Sequence, residues 1–148
     1  MATYNKFNSW PEYLCGAGDL FGTGGTTADM LIAYLSNATP SATADTVKAD
    51  LAEIATGSGY AGPVNLDNDG TRTLGVLTVT AKSFTVTASG GSVGPFQYVA
   101  VADDTLASDP LVCWFDYGSA VTLASGETFS VLFNSAAVGA NGTLFTVQ

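Results

Sequence analysis

The chain has 148 residues, the length of one domain, and a domain of that size needs neither a metal nor a disulfide to form a core. Only 11% of the residues are charged, against roughly 25% in soluble domains, and charge depletion is typical of surfaces that neighbouring subunits cover. With 13 acidic residues, 4 scattered basic residues and no long apolar run, we expect neither nucleic acid nor a membrane among the partners.

The first 28 residues are predicted to form an irregular N-terminal arm that contains one short helix, and 29–148 to form a single β-rich domain. Ser9 and Glu12 have the spacing of a capping box, and Pro11 suits the first helical turn. We expect this helix over residues 10–16, ended by glycine.

A second helix is predicted after the first strand. Residues 29–36 read as a buried strand. In residues 43–55, Val47, Leu51 and Ile54 recur at helical spacing with charged residues between them, which predicts an amphipathic helix of about three turns.

Every regular element after residue 60 is predicted to be a strand. Turn signals separate the candidate strands at short intervals, which is typical of a sandwich or a barrel. The predicted strands are 73–80, 83–88, 93–102, 111–117, 121–123, 127–133 and 143–147. The expected fold is therefore mainly β, an antiparallel β-sandwich or small barrel with one or two short helices.

Alternation along residues 93–102 places Phe96 and Tyr98 on one face of their strand and Val99 on the other. Pro95 cannot donate to a ladder, so it implies an edge strand or a bulge. Trp114 and Phe115 are neighbours and therefore point to opposite faces.

The composition removes several common kinds of catalytic site. The chain has no histidine, which excludes the Ser-His and Cys-His dyads and the usual zinc ligands. The two cysteines, Cys15 and Cys113, have no CxxC spacing and are expected to be buried apolar residues. We expect no enzyme, no catalytic residue and no cofactor.

The acidic loop around Asp67 and Asp69 resembles the first half of an EF-hand, with Gly70 at the sixth position. The twelfth position is Val76, where a bidentate glutamate is needed, and a predicted strand follows. A polar loop is favoured over a Ca²⁺ site, so no metal site is predicted.

The candidate partner-binding residues are aromatic side chains and a proline that can anchor another chain. They are Trp10, Tyr13, Phe21, Pro95, Phe96, Tyr98 and Trp114. Trp10 and Tyr13 are expected to anchor an arm that becomes ordered on docking. An alternative is a sugar-binding face that uses Trp114 or Tyr98 as its platform.

Several stretches are distinctive as a set: 4–7 (YNKF), 36–40 (SNATP), 50–54 (DLAEI), 57–60 (GSGY), 88–98 (ASGGSVGPFQY), 114–118 (WFDYG), 121–123 (VTL) and 125–127 (SGE). In them the chain resembles a family of small structural proteins of tailed-phage virions, some of which resemble capsid cement proteins. The resemblance covers most of the chain from residue 36 onward. It is weakest over residues 10–30, where the glycine-rich stretch is longer.

This resemblance implies a capsid decoration (cement) protein, made in the host cytoplasm and located on the capsid exterior of the virion. Its implied partners are the major capsid protein and further copies of itself, as a homotrimer or another small homo-oligomer. The alternatives are a tail, neck or fibre-associated virion protein, or a carbohydrate-binding module used in host attachment.

Overall fold

The computed structural model describes residues 2–16, 18–20, 28–134 and 137–147. Strands dominate, and every pairing between them is antiparallel, which confirms the predicted mainly-β, sandwich-like class. The elements in chain order are β1 Thr3–Lys6, α1 Trp10–Gly16, β2 Leu31–Ser36, β3 Val64–Asn65, β4 Asp69–Thr73, β5 Val76–Lys82, β6 Phe84–Thr87, β7 Val93–Asp103, β8 Leu111–Leu123, β9 Thr128–Val131 and β10 Asn141–Val147.

The strands form one large sheet and two small ones. The large sheet has the order β1-β8-β7-β2-β3, and the small sheets have the orders β10-β5-β4 and β6-β9. The main core lies between the large sheet and the small ones, because β2, β5, β6, β7 and β8 all contribute buried apolar side chains to it. Burial of these side chains is the main stabilising contribution to the sandwich.

The outer face of the large sheet is also apolar, and the segment 37–62 covers it through Ala42 and Leu51, whereas Ile54 and Tyr60 of the same segment pack against the main core. A second buried cluster there includes Tyr34, Tyr98, Trp114 and Phe7, closed over by Leu51. Backbone hydrogen bonds attach the covering segment to both sides of the sheet, among them Ile54 N–H to Leu35 O and Leu111 N–H to Thr46 O, each 2.9 Å.

The prediction of a helix over 43–55 was wrong. The segment contains one 3₁₀ turn, Lys48–Asp50, and is otherwise extended or looped. Val47 forms an isolated bridge with Pro110, Leu51 enters the outer cluster and Ile54 packs against the main core. The three apolar residues are anchored to different parts of the sheet, so their helical spacing does not correspond to one helix face.

The predicted irregular arm contains regular, buried structure. β1 pairs along its whole length with β8, from Thr3 opposite Asp116 to Lys6 opposite Cys113. Phe7 is fully buried and Trp10 is 3% exposed. The predicted helix over 10–16 is confirmed as α1. Residue 17 and residues 21–27 of the predicted arm lie outside the described residues.

Three strand predictions need correction. The strands predicted over 111–117 and 121–123 are one continuous strand, β8. In the other two cases a turn or a bulge falls elsewhere. The strand predicted over 73–80 is part of a hairpin, with Leu74 and Gly75 forming the turn between β4 and β5. The pairing of β7 with β8 is irregular between Val93 and Phe96 and again between Phe96 and Tyr98. The irregularity places Phe96 in the main core and Tyr98 in the outer cluster, on opposite faces and not on one face as predicted.

Candidate functional site

An open groove with a volume of about 310 Å³ lies where β8 of the large sheet faces β9 of the small sheet. We call it the aromatic groove. Phe115, Tyr117 and Val99 line it from the large sheet, residues 129–134 line it along β9 and beyond, and Ala2 and Thr143 complete the lining. Its walls are mainly apolar, which is the usual character of a binding groove in a protein.

Strand alternation brings these side chains together. Phe115 and Tyr117 lie two residues apart on β8 and share its inward face, and Val99 lies opposite Phe115 in the β7–β8 register. On β9, Phe129 and Val131 are half-buried and alternate with the exposed Thr128 and Ser130. The groove is thus the open side of the sandwich, lined by residues that would otherwise continue the core.

Aromatic contacts hold the two sides of the groove at a fixed separation. The Tyr117 and Phe129 ring centroids are 5.5 Å apart at an interplanar angle of 77°, and Phe115 lies 5.7 Å from Phe133. Phe96 supports Phe129 from the core at 4.9 Å and 78°. Edge-to-face pairs at these distances are favourable, so the groove is pre-formed.

Strand edges border the groove on both sides. β1 is the outer strand of the large sheet, and within the described residues β9 pairs only with β6. An edge strand offers unpaired N–H and C=O groups to an added chain. Three of the exposed large apolar side chains also gather here: Tyr117 is 53% exposed, Leu132 46% and Tyr4 42%. Clustered exposed apolar residues mark interaction surfaces.

The tip of the β4–β5 hairpin is a second exposed apolar feature. Leu74 is 99% exposed, with φ of 51°, and Gly75 follows with φ of 84°. Positive φ at both central residues is the signature of a type I′ turn, in which Asn-Gly is preferred. We call residues 73–76 the hairpin tip.

Most of the predicted partner-binding residues are buried within the chain. Trp10 and Phe96 are core residues, and Tyr98 and Trp114 are 8% and 9% exposed beneath the segment that covers the outer face. Trp114 packs on Phe7 with ring centroids 4.5 Å apart.

Trp10 is therefore packed inside the folded chain, and Trp114 and Tyr98 expose little ring surface to a partner or a sugar. Tyr13 is half-buried and packs against the main core, whereas Pro95 is exposed at the irregular start of β7. Phe21 lies outside the described residues.

The residues that line the groove were largely missed by sequence reasoning. Phe96 contributes from behind, through its contact with Phe129, but Phe129, Leu132 and Phe133 were not singled out. A signal was present. Val131, Leu132 and Phe133 are three consecutive apolar residues, and one of them must face outward if the segment is extended.

The titratable groups of the described residues do not gather into a metal-binding cluster. No group of three or more acidic or cysteine side chains there can hold a metal ion. Asp67 forms an ion pair with Lys82 at 2.7 Å, in keeping with a polar loop. Both cysteines are free. Cys113 is buried as predicted, which raises the pKa of its thiol, whereas Cys15 is exposed, so the prediction of burial was wrong for Cys15.

The fold and the groove define a small antiparallel β-sandwich that presents a pre-formed apolar groove beside two edge strands. Comparison with protein-family models, with curated proteins and with solved structures finds no match to this chain. No helix among the described residues is long and apolar enough to cross a membrane.

Proposed function

We propose that this protein is a non-enzymatic structural protein of a tailed-phage virion, and specifically a decoration (cement) protein of the head. It binds the outer capsid surface, contacts the major capsid protein and stabilises the shell. The observation that supports this role most is the aromatic groove, because an apolar groove between strand edges suits contact with another protein chain.

Two of the stretches that carry the resemblance to phage virion proteins converge on this groove. Residues 88–98 supply Phe96, which supports Phe129, and residues 114–118 supply Phe115 and Tyr117, which line the groove. The stretches are distant in sequence but adjacent in the sheet, since β7 pairs with β8. The resemblance and the exposed surface therefore point to the same part of the molecule.

The charge of the chain favours a protein partner with a basic surface. The net charge of −9 steers the molecule toward positive potential, and complementary charge speeds docking and fixes its orientation. A shell built of many subunits multiplies each modest contact, so the affinity of a single copy need not be high.

The groove is less suited to a carbohydrate. A sugar site needs an exposed ring face together with several convergent polar groups. Tyr117 offers one exposed ring, but the polar side-chain groups of the lining are few, namely the Tyr117 hydroxyl and the side chains of Ser130, Asn134 and Thr143. The rings considered as platforms from the sequence, Trp114 and Tyr98, are buried.

Cryo-electron microscopy of the virion that contains this chain tests the proposal. We expect many copies on the outer shell, each in contact with the major capsid protein. A few copies at one vertex or along the tail would contradict the decoration role and would make it a neck, tail or fibre-associated protein. Binding of the isolated protein to host glycans, with none on the shell, would favour host attachment instead.

A further inference from the structure

We propose that the aromatic groove accepts the hairpin tip of a second copy of this chain, with Leu74 of one copy seated beside Tyr117 and Leu132 of the next. The contact joins two different surfaces, so the copies assemble head to tail. This inference rests on the proposed role of the groove as a protein contact, and it names the occupant.

The stability of the isolated chain does not explain why position 74 is a leucine. Leu74 is 99% exposed, so its side chain contributes no burial in the monomer. Its φ of 51° is a conformation that costs most L-residues about 1–2 kcal/mol, whereas Asn and Gly adopt it readily. Folding alone therefore favours Asn at position 74, and a leucine there is accounted for by a contact outside the chain.

The groove has the size and lining to receive this side chain. An apolar cavity of about 150 Å³ is large enough to hold benzene. The groove measures about 310 Å³, which leaves room for a leucine side chain and part of the adjoining turn. Tyr117 and Leu132 at the rim would be covered by the same contact, so exposed apolar surface would be removed from water on both copies.

The hairpin is shaped to reach a neighbour. Four of the five residues of β4 are exposed, and β4 is the outer strand of its sheet. No residue of the hairpin lines the groove of its own chain. As the tip enters a neighbouring groove, the open edge of β4 can form hydrogen bonds with the open edge of β9.

Charge favours the same pairing. The hairpin tip and the residues flanking it carry Arg72, one of the 4 basic residues in the chain. Glu127 immediately precedes β9, two residues before the groove residue Phe129, whereas Asp116 points to the face of β8 opposite Phe115 and Tyr117. Arg72 of a second copy can therefore meet one opposite charge near the groove, although two whole chains of −9 repel each other at long range.

The hairpin tip, which acts as a knob, and the groove lie on different surfaces of the chain, so their contact is a heterologous interface. Such interfaces generate a closed ring when the rotation between copies closes, and a filament when it does not. A ring of a few copies would present several identical faces to a symmetric shell.

Two variants and one matched control test the inference by analytical ultracentrifugation of the full-length protein. Leu74→Asn removes the knob and Tyr117→Thr opens the groove, while Val138→Thr changes an exposed valine that does not line the groove. We expect an oligomer for the wild type and for Val138→Thr, and monomers for the other two. Leu74→Asn should also melt at an equal or higher temperature than the wild-type monomer, because the turn gains its preferred residue.

Mixing the two monomeric variants distinguishes the head-to-tail contact between tip and groove from a symmetric contact between identical surfaces. The Leu74→Asn protein retains a groove and the Tyr117→Thr protein retains a knob, so the mixture should form a 1:1 dimer and nothing larger. If association is weak, a disulfide can trap it. A variant that carries Leu74→Cys and Leu132→Cys in a Cys15→Ser background should form an inter-chain disulfide under oxidation. Cys113 is fully buried and therefore does not compete in the reaction.

A monomeric wild type, together with a Leu74→Cys/Leu132→Cys variant that forms no inter-chain disulfide, would overturn the inference, as would an oligomer that persists in Leu74→Asn. The proposed function is judged separately, by binding to capsids. If the protein is a monomer and binds capsids through Tyr117, the groove contacts the capsid and not a second copy, so the proposed function stands and the inference fails. A protein that binds no virion would contradict the proposed function whatever its oligomeric state.

Discussion

Asp103 carries a fully buried carboxyl group at the end of β7. One of its oxygens accepts the N–H groups of Thr105 and Leu106 at 3.0 and 3.4 Å, whereas Oδ2 has no hydrogen-bond partner within the described residues. Burial, together with the nearby Asp29 and Asp104 carboxylates, raises the pKa of Asp103 to about 6. The folded protein therefore retains a proton at pH values where the unfolded chain has released it.

The raised pKa predicts that Asp103→Asn stabilises the protein at neutral pH. Because the folded-state pKa lies above the ordinary value of 3.8, the contribution of Asp103 to stability falls as pH rises from about 4 to about 6. Asparagine is neutral throughout and retains the acceptor for Thr105. We expect a gain on the order of 1–2 kcal/mol at pH 7.5 and almost none at pH 4.

Urea denaturation of both proteins at the two pH values measures the difference. Glu12→Gln is the matched control, since it also removes a carboxylate but at an exposed position on α1 that does not contribute to the pKa shift of Asp103. An equal effect of Asp103→Asn at both pH values would show that the carboxyl is not protonated selectively in the folded state.

At the scale of elements, β1 and Phe7, which follows it, are packed into the folded chain without any partner. Phe7 is fully buried against Trp114, and its N–H donates to Val112 O at 3.3 Å. We expect Phe7→Ala to lower the free energy of unfolding by about 3–5 kcal/mol, because truncating a buried phenylalanine loses its apolar burial and leaves a cavity. Thr3→Ala, an exposed change on the same segment, should stay within about 0.5 kcal/mol of wild type.

Thermal or denaturant unfolding of the monomer measures both changes. If Phe7→Ala left stability unchanged, the N-terminal residues would be an arm that orders only on docking, as the sequence had predicted.

Tyr60 anchors the segment that covers the outer face of the large sheet. Its hydroxyl accepts the Leu35 N–H at 3.1 Å and donates to Glu53 at 2.6 Å. Burial, and then the bond to Glu53, raise the pKa of Tyr60 well above its usual value, so the hydroxyl keeps its proton at neutral pH.

Tyr60→Phe should therefore cost about 1–3 kcal/mol, because it leaves the fully buried N–H of Leu35 unpaired. Tyr34→Phe removes a hydroxyl that donates only to Leu51 O, at 3.3 Å, and should cost about 1 kcal/mol or less. Denaturant unfolding gives both values, with hydrogen exchange at Leu35 as a local readout. Equal costs for the two variants would mean that Tyr60 does not anchor the segment through Leu35.

Local patterns predicted the strands well and the covering segment poorly. Alternation and turn residues are properties of neighbouring residues, so β7 and β10 could be placed from the sequence, whereas β8 was divided into two strands by an apparent turn signal. The spacing of Val47, Leu51 and Ile54 is equally local, but Ile54 is bonded to Leu35 of β2, Val47 bridges Pro110 just before β8, and Leu51 is buried in the outer cluster, none of which a local pattern reveals. The same limit applies to Phe96 and Tyr98, whose faces depend on a bulge set by pairing with β8.

At the scale of the whole molecule, the candidate site arises from the open side of the sandwich. Composition predicted an assembling protein, because charged residues are scarce, but it could not place the contact surface. The groove forms where β8 of one sheet meets β9 of another, and its lining comes from parts of the chain that are far apart in sequence. The aromatic residues chosen from the sequence were mostly those that complete the interior.

The most direct test of the central claim is docking of purified variants onto virions that lack this chain, with bound copies counted by quantitative mass spectrometry. We expect the wild type and Val138→Thr to saturate the heads, and Tyr117→Thr to bind at least about tenfold more weakly, the change that a loss of 1.4 kcal/mol produces. Equal binding of all three would show that the aromatic groove is not the assembly surface. No binding of the wild type to heads would contradict the decoration role itself.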